Sequence, residues 1–109
     1  MIVSTTHSVP GQEDAEILGL VRGNTVRSRH LGRDITAIFK QVVGGEVIEY
    51  TKLIAEAREQ ALDRMVEEAH AMGADAIVSL RFQTCEVAKG AAEMLAYGTA
   101  VTFVEGDDD

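Results

Sequence analysis

The stretch AIVSLRFQTCEVAKGAAEMLAYGTAVTFV, residues 76–104, decides the fold. Between Ala76 and Val87 the chain alternates, with Val78, Leu80 and Phe82 at one parity and Ser79, Arg81 and Gln83 at the other. Successive side chains of a strand point to opposite faces, so this period of two predicts a half-buried strand. Lys89-Gly90 predicts a turn, and Glu93 to Val104 a second strand. That second strand is apolar on both faces: Leu95, Tyr97, Val101 and Phe103 on one, Met94, Ala96, Ala100 and Val104 on the other. The close spacing of the two strands predicts a hairpin.

Moving towards the amino terminus, the period changes. Ile54, Ala57, Ala61, Met65, Ala69 and Met72 recur every three or four residues, which predicts a helix from Val47 to Met72 ended by Gly73. Leu53, Leu62 and Val66 broaden the stripe, and Glu56, Glu59, Asp63 and Glu67 form an acidic outer face. Lys52 with Glu56, and Arg64 with Glu68, are spaced as helix-stabilising pairs. Leu31, Ile35, Ile38, Phe39 and Val42 predict an earlier helix, with Ser28 as its cap and Gly44-Gly45 as its stop. Before it, Ala15 to Val21 predicts a strand running on towards Val26, and Ile2 to Thr6 a short first strand, with a turn at Pro10-Gly11. The expected architecture is therefore α+β: a mainly antiparallel sheet in the order β-β-α-α-β-β, with two helices on one face. Two helices leave the other face of a doubly apolar last strand uncovered, so Leu95, Tyr97, Val101 and Phe103 are expected to lie between subunits of an oligomer.

Composition narrows the function classes. A chain of 109 residues, 46% hydrophobic and 26% charged, fits one domain, here residues 1–104 followed by an acidic solvated tail at 105–109. The net charge of −8 excludes general binding to nucleic acid or anionic membranes, both of which need a positive surface. No apolar run approaches the roughly 18 residues of a membrane span. Met1 to Gly11 is polar and does not read as a secretory leader, and the lone Cys85 permits no internal disulfide. Both features point to the cytoplasm.

Few residues are arranged for chemistry. His7, His30, His70 and Cys85 are the soft or borderline metal ligands, but none of them shows zinc-site spacing. A metal would have to be held weakly, or shared between distant segments or subunits, with Cys85 and His7 as candidates. Cys85 has no histidine beside it in sequence, Ser4, Thr5 and Thr6 have no adjacent base, and no phosphate-cradling glycine loop occurs. The sequence accordingly reads as a non-enzyme. Its most unusual feature is basic: Arg22, Arg27, Arg29 and Arg33, with His30, lie in twelve residues that contain no acid. At a helix entrance, Arg27, Arg29, His30 and Arg33 would face an anion or a neighbouring subunit's carboxylates.

Several fragments together resemble the YbjQ family. They are Ser4-Thr5-Thr6, Leu18-Gly19-Leu20-Val21 with Gly23, Arg33-Asp34, Val43-Gly44-Gly45, Tyr50, Ala57-Arg58, Gly73-Ala74-Asp75-Ala76 and Gly98-Thr99-Ala100-Val101. The resemblance covers nearly the whole chain. It implies a dodecin-subunit-like α+β protomer, a homopentamer or a decamer of two pentamers, and binding of a heavy metal or other small ligand. It implies no reaction. The chain departs from the family pattern at Arg81, Gln83 and Cys85, where relatives often carry acidic residues along the third strand. It also departs at Glu46-Val47-Ile48 and at Arg27-Ser28-Arg29-His30. The rival readings are a ring that only holds partners, and a small thiol enzyme using Cys85.

Overall fold

The computed structural model describes residues 1–28, 46–88 and 91–104, with side chains described over 1–26, 52–85 and 91–104. Its elements are β1 (Ile2–Val3), β2 (Glu16–Ser28), α1 (Glu46–Ala71), β3 (Ala76–Ala88) and β4 (Ala91–Thr102). They form a four-stranded sheet in the order β1-β3-β4-β2. The β3–β4 hairpin is present in antiparallel register, and β2 pairs antiparallel with β4 along its length.

Two features of the expected architecture are corrected. The sheet is mixed, because β1 pairs parallel with β3 through Ile2 with Ala76 and Val3 with Ile77. The described residues also contain one helix over the sheet, not two. The helix expected from Leu31 to Val42 falls outside the described residues, and Ser28, expected to cap it, is the last residue of β2. The misplaced first strand has a simple cause. Hairpin loops take about 2–5 residues, whereas residues 4–15 separate β1 from β2. That length lets the chain cross the sheet, so β1 and β2 sit at opposite edges. Alternation tells which face a residue occupies and says nothing of which strand lies beside it.

The helix packs through its stripe of small residues. Ala57, Ala61, Met65 and Ala69 are all buried, and they meet Val21, Ile77, Met94, Ala96 and Ala100 of the sheet in one core. Gly23 of β2 allows the close approach: a Cβ there would collide with the backbone of α1 at Ala61 and Met65. The helix ends in a Schellman motif. The Gly73 amide donates to the His70 carbonyl (3.0 Å) and the Ala74 amide to the Ala69 carbonyl (3.0 Å), with Gly73 at φ +79°. Asp75 then fastens the next strand, its Oδ2 accepting the Phe103 amide (2.8 Å) and the Thr102 hydroxyl (2.9 Å). These bonds favour the charged carboxylate and hold the Asp75 carboxyl below its ordinary value, the Phe103 amide contributing most.

Charges on α1 also cover part of the outer edge of β2. The Arg22 amide donates to Glu68 Oε1 (3.0 Å), and Arg64 Nη1 donates to the Asn24 carbonyl (2.5 Å). Arg64 and Glu68, spaced as a pair along the helix, both bond to exposed strand backbone. Covering an edge in this way withholds it from unwanted strand pairing.

Candidate functional site

The site is built around an irregularity in β3. Between Val78 and Arg81 the register with β4 slips by one residue, and Ser79 adopts φ +55°. A non-glycine residue in this region is strained and needs support from its surroundings. The bulge reverses the alternation beyond it. Val78 therefore faces away from α1, paired with Thr99, while Phe82, paired with Ala96, lies on the helix side. The alternation of the sequence alone predicts Val78, Leu80 and Phe82 on one face.

Ser4-Thr5-Thr6 clasps the bulge. The Ser4 amide donates to the Ile77 carbonyl (2.9 Å), the Leu80 amide to the Ser4 carbonyl (3.0 Å) and the Ser79 amide to the Thr6 carbonyl (2.8 Å). Within the clasp, the Thr6 amide donates to Ser4 Oγ (3.0 Å) and the Thr6 hydroxyl to the Ser8 carbonyl (2.6 Å). Arg81 Nη1 adds a bond to the Thr5 carbonyl (3.2 Å). Short hydroxyl side chains that bond nearby backbone give this non-repetitive segment a fixed path.

Beyond the clasp the chain arches over the face of the sheet opposite α1 and encloses a cleft of about 300 Å³. Val9, Ala15, Ile17, Val78 and Val101 supply its apolar surface. His7, Ser8, Gln12, Glu13, Ser79 and Thr99 supply its polar groups. Val9 and Ala15 pack on the buried Ala76, Val78 and Val101, so the arch has a small core of its own.

The residues singled out from sequence are dispersed. His7 lines the cleft, whereas Cys85 is exposed six positions past Ser79 on β3, which at the rise of a strand is about 20 Å away. Val101 is only 5% exposed within the single chain, and Phe103 packs beside it. Leu95 and Tyr97 are half-buried on the face opposite α1, in register with Asn24 and Arg22. Leu20 and Val26 occupy the same face and are 61% and 56% exposed. Arg27 pairs through its backbone with Ala92 near the end of β2, while Arg29, His30 and Arg33 lie outside the described residues. Ser8, Gln12, Glu13, Ser79 and Thr99 were not anticipated as a group. They sit in an arch without periodicity and on two strands, and no spacing rule joins them.

A heavy-metal ion tests poorly against these side chains within one chain. Structural zinc takes four protein ligands and catalytic zinc three. Among the described residues no group of three or more His, Cys, Asp or Glu converges on one point.

The described residues define a small α+β protein: one long helix over a mixed four-stranded sheet whose other face carries a short arch. A crystal structure of a protein of unknown function of the DUF74 family from Pediococcus pentosaceus has the same fold. Its TM-score is 0.60 at 17% identity, covering 95% of this chain and 98% of that one. The chain belongs to the YbjQ family, whose model, described as "Putative heavy-metal-binding", matches residues 1–104. Among curated relatives, a UPF0145 protein from Thermosipho africanus is 52% identical over 99% of this chain and 100% of its own length. One from Archaeoglobus fulgidus is 56% identical over 93% and 94%, and one from Halobacterium salinarum 53% identical over 91% and 95%.

Proposed function

We propose that the chain is a non-enzymatic binding protein that works as a homo-oligomeric ring in the cytoplasm, a pentamer or a decamer of two pentamers. The observation that carries this reading is the face of the sheet opposite α1. There Leu20, Val26, Leu95 and Tyr97, set diagonally among Arg22, Asn24 and Glu93, are apolar side chains that the described part of the chain leaves partly open to water. Side chains of this kind are covered in assemblies. Closed rings form when one surface meets a different surface on the next copy, which suits a sheet with two unlike faces.

The family description supplies one class of ligand, a heavy metal. No three metal-binding side chains converge among the described residues, so metal binding in this reading draws on residues outside them or on more than one subunit. Native mass spectrometry of the purified protein tests both halves of the proposal by reporting subunit count and retained mass together. A ring with bound ligand is the expected outcome. A monodisperse monomer at micromolar concentration would end the assembly reading, and a ring that never carries additional mass would leave a purely structural ring.

A further inference from the structure

We propose that the cleft beneath the N-terminal arch is the ligand site, and that its ligand is a small organic cation: a primary ammonium group on a short apolar body. The inference rests on the binding-protein reading above and assigns it a place and a chemistry.

Shape gives the apolar body. At about 300 Å³ the cleft lies at the small end of the range for ligand pockets, and it is far larger than a bare ion requires. The pairing of Val78 and Val101 on the sheet with Val9 and Ala15 on the arch gives it apolar walls.

The polar groups give the cation. Among the residues lining the cleft there is one acid, Glu13, and no lysine or arginine. The other polar side chains are His7, Gln12 and three hydroxyls, all of which offer lone pairs to an N–H donor when His7 is neutral. Glu13 Oε2 accepts the Gly11 amide (3.2 Å), which ties this exposed carboxylate to the arch. An ammonium group with three donors matches this set, whereas a carboxylate or phosphate would meet the like charge of Glu13 and no lysine or arginine. A metal ion would find only His7 and Glu13 as strong ligands.

The floor is built in advance. Ser79 is held at φ +55° by the clasp, and the bulge turns Val78 towards the arch. Without that slip Val78 and Phe82 would share a face. A strained residue held by a dedicated set of bonds beside a cleft is the arrangement expected of a preformed site.

The test compares isosteres. Isopentylamine, isopentanol and isopentanoate are titrated into the intact protein at constant ionic strength, with Zn²⁺ as a separate arm. Thermal unfolding and the NMR signals of the His7 ring and the Val78 and Val101 methyl groups are followed. The amine is expected to raise the melting temperature with a saturable dependence and to shift all three sets of signals. The alcohol is expected to bind at least tenfold more weakly, and the acid not measurably. Glu13→Gln, on the exposed arch, is expected to keep the fold and weaken the amine at least tenfold. Ala15→Phe is expected to fill the cleft and abolish binding; if it fails to fold, Glu13→Gln still decides. Equal binding of amine and acid, or an amine response untouched by Glu13→Gln, would overturn the proposal. So would Zn²⁺ shifting the His7 ring while the amine does not. A ligand retained in native mass spectra but displaced by none of these changes would sink the cleft assignment and leave the binding-protein reading standing.

Discussion

The two faces of the sheet are built from the same strands and solve different problems. On the helix side, Val21, Ile77, Met94, Ala96 and Ala100 meet a helix whose own contact residues are mostly alanine, and Gly23 removes even a methyl group from the contact. On the opposite side, the arch covers Ala76, Val78 and Val101, while Leu20 and Val26 stay exposed and Leu95 and Tyr97 are half-buried. The helix face is packed tightly where α1 crosses β2 and β4, with Gly23 against the helix backbone, while Phe82 of β3 on the same face is 39% exposed. The other face is part cleft and part open surface, and it is the face that the proposed binding and assembly would use. The comparison teaches that burial in this chain divides into a share completed by the helix and a share that the described chain leaves incomplete.

Four experiments sharpen or break that division. The largest effect is expected for Gly23→Val, because its side chain would enter the backbone of α1 at Ala61 and Met65. Helix and strand cannot separate without opening the core, so the variant should show no cooperative unfolding transition by circular dichroism. A native-like transition would mean that α1 is not held on β2 as described.

Met65→Ala comes next. Met65 is fully buried at the centre of the helix stripe, and truncation of such a residue costs about 2–5 kcal/mol through lost burial and the cavity left behind. Urea denaturation should show a clearly lowered midpoint with an unchanged slope. A change under about 0.5 kcal/mol would place the core elsewhere.

On the open surface, Leu20→Ser with Tyr97→Ser should act in the opposite sense. Neither side chain is fully buried within the chain, so the stability of the isolated subunit should change by less than about 1 kcal/mol. Sedimentation velocity should nevertheless show loss of the assembly. Substitutions that unfold the subunit and leave no folded monomer would erase the distinction between the two faces. Val101→Asp, by contrast, becomes a test of folding more than of assembly, since Val101 is already buried beneath the arch.

The smallest effect is expected for Asp75→Asn, at the junction of α1 and β3. The Asp75 carboxyl lies below its ordinary pKa of 3.8 because it accepts the Phe103 amide and the Thr102 hydroxyl. A depressed carboxylate stabilises the fold fully above the unfolded-state value and loses that contribution as pH falls through the folded-state value. The variant should therefore melt slightly below the parent at pH 7, and the gap should close as the solution is acidified below pH 3.8. A gap constant with pH would assign the role of Asp75 to shape and not to charge.

The sequence by itself determined the segments with a strong period. The alanine–methionine stripe from Ala57 to Ala69 is buried along one side of α1, and the acidic residues opposite it are exposed. The β3–β4 hairpin follows from period two and a short turn, and the Gly73 stop from the freedom of glycine at a left-handed cap. These features depend on neighbours a few residues away, and a linear pattern carries that information. Only the tertiary structure decided that β1 joins β3 in parallel, that Ser79 bulges and reverses Val78 against Phe82, and that the arch covers Val101. Each depends on which distant segments meet. His7 and Glu13 reach one cleft with Ser79 and Thr99 because a crossing segment between the two edges of the sheet folds back over its face, and no local period records where such a segment lands.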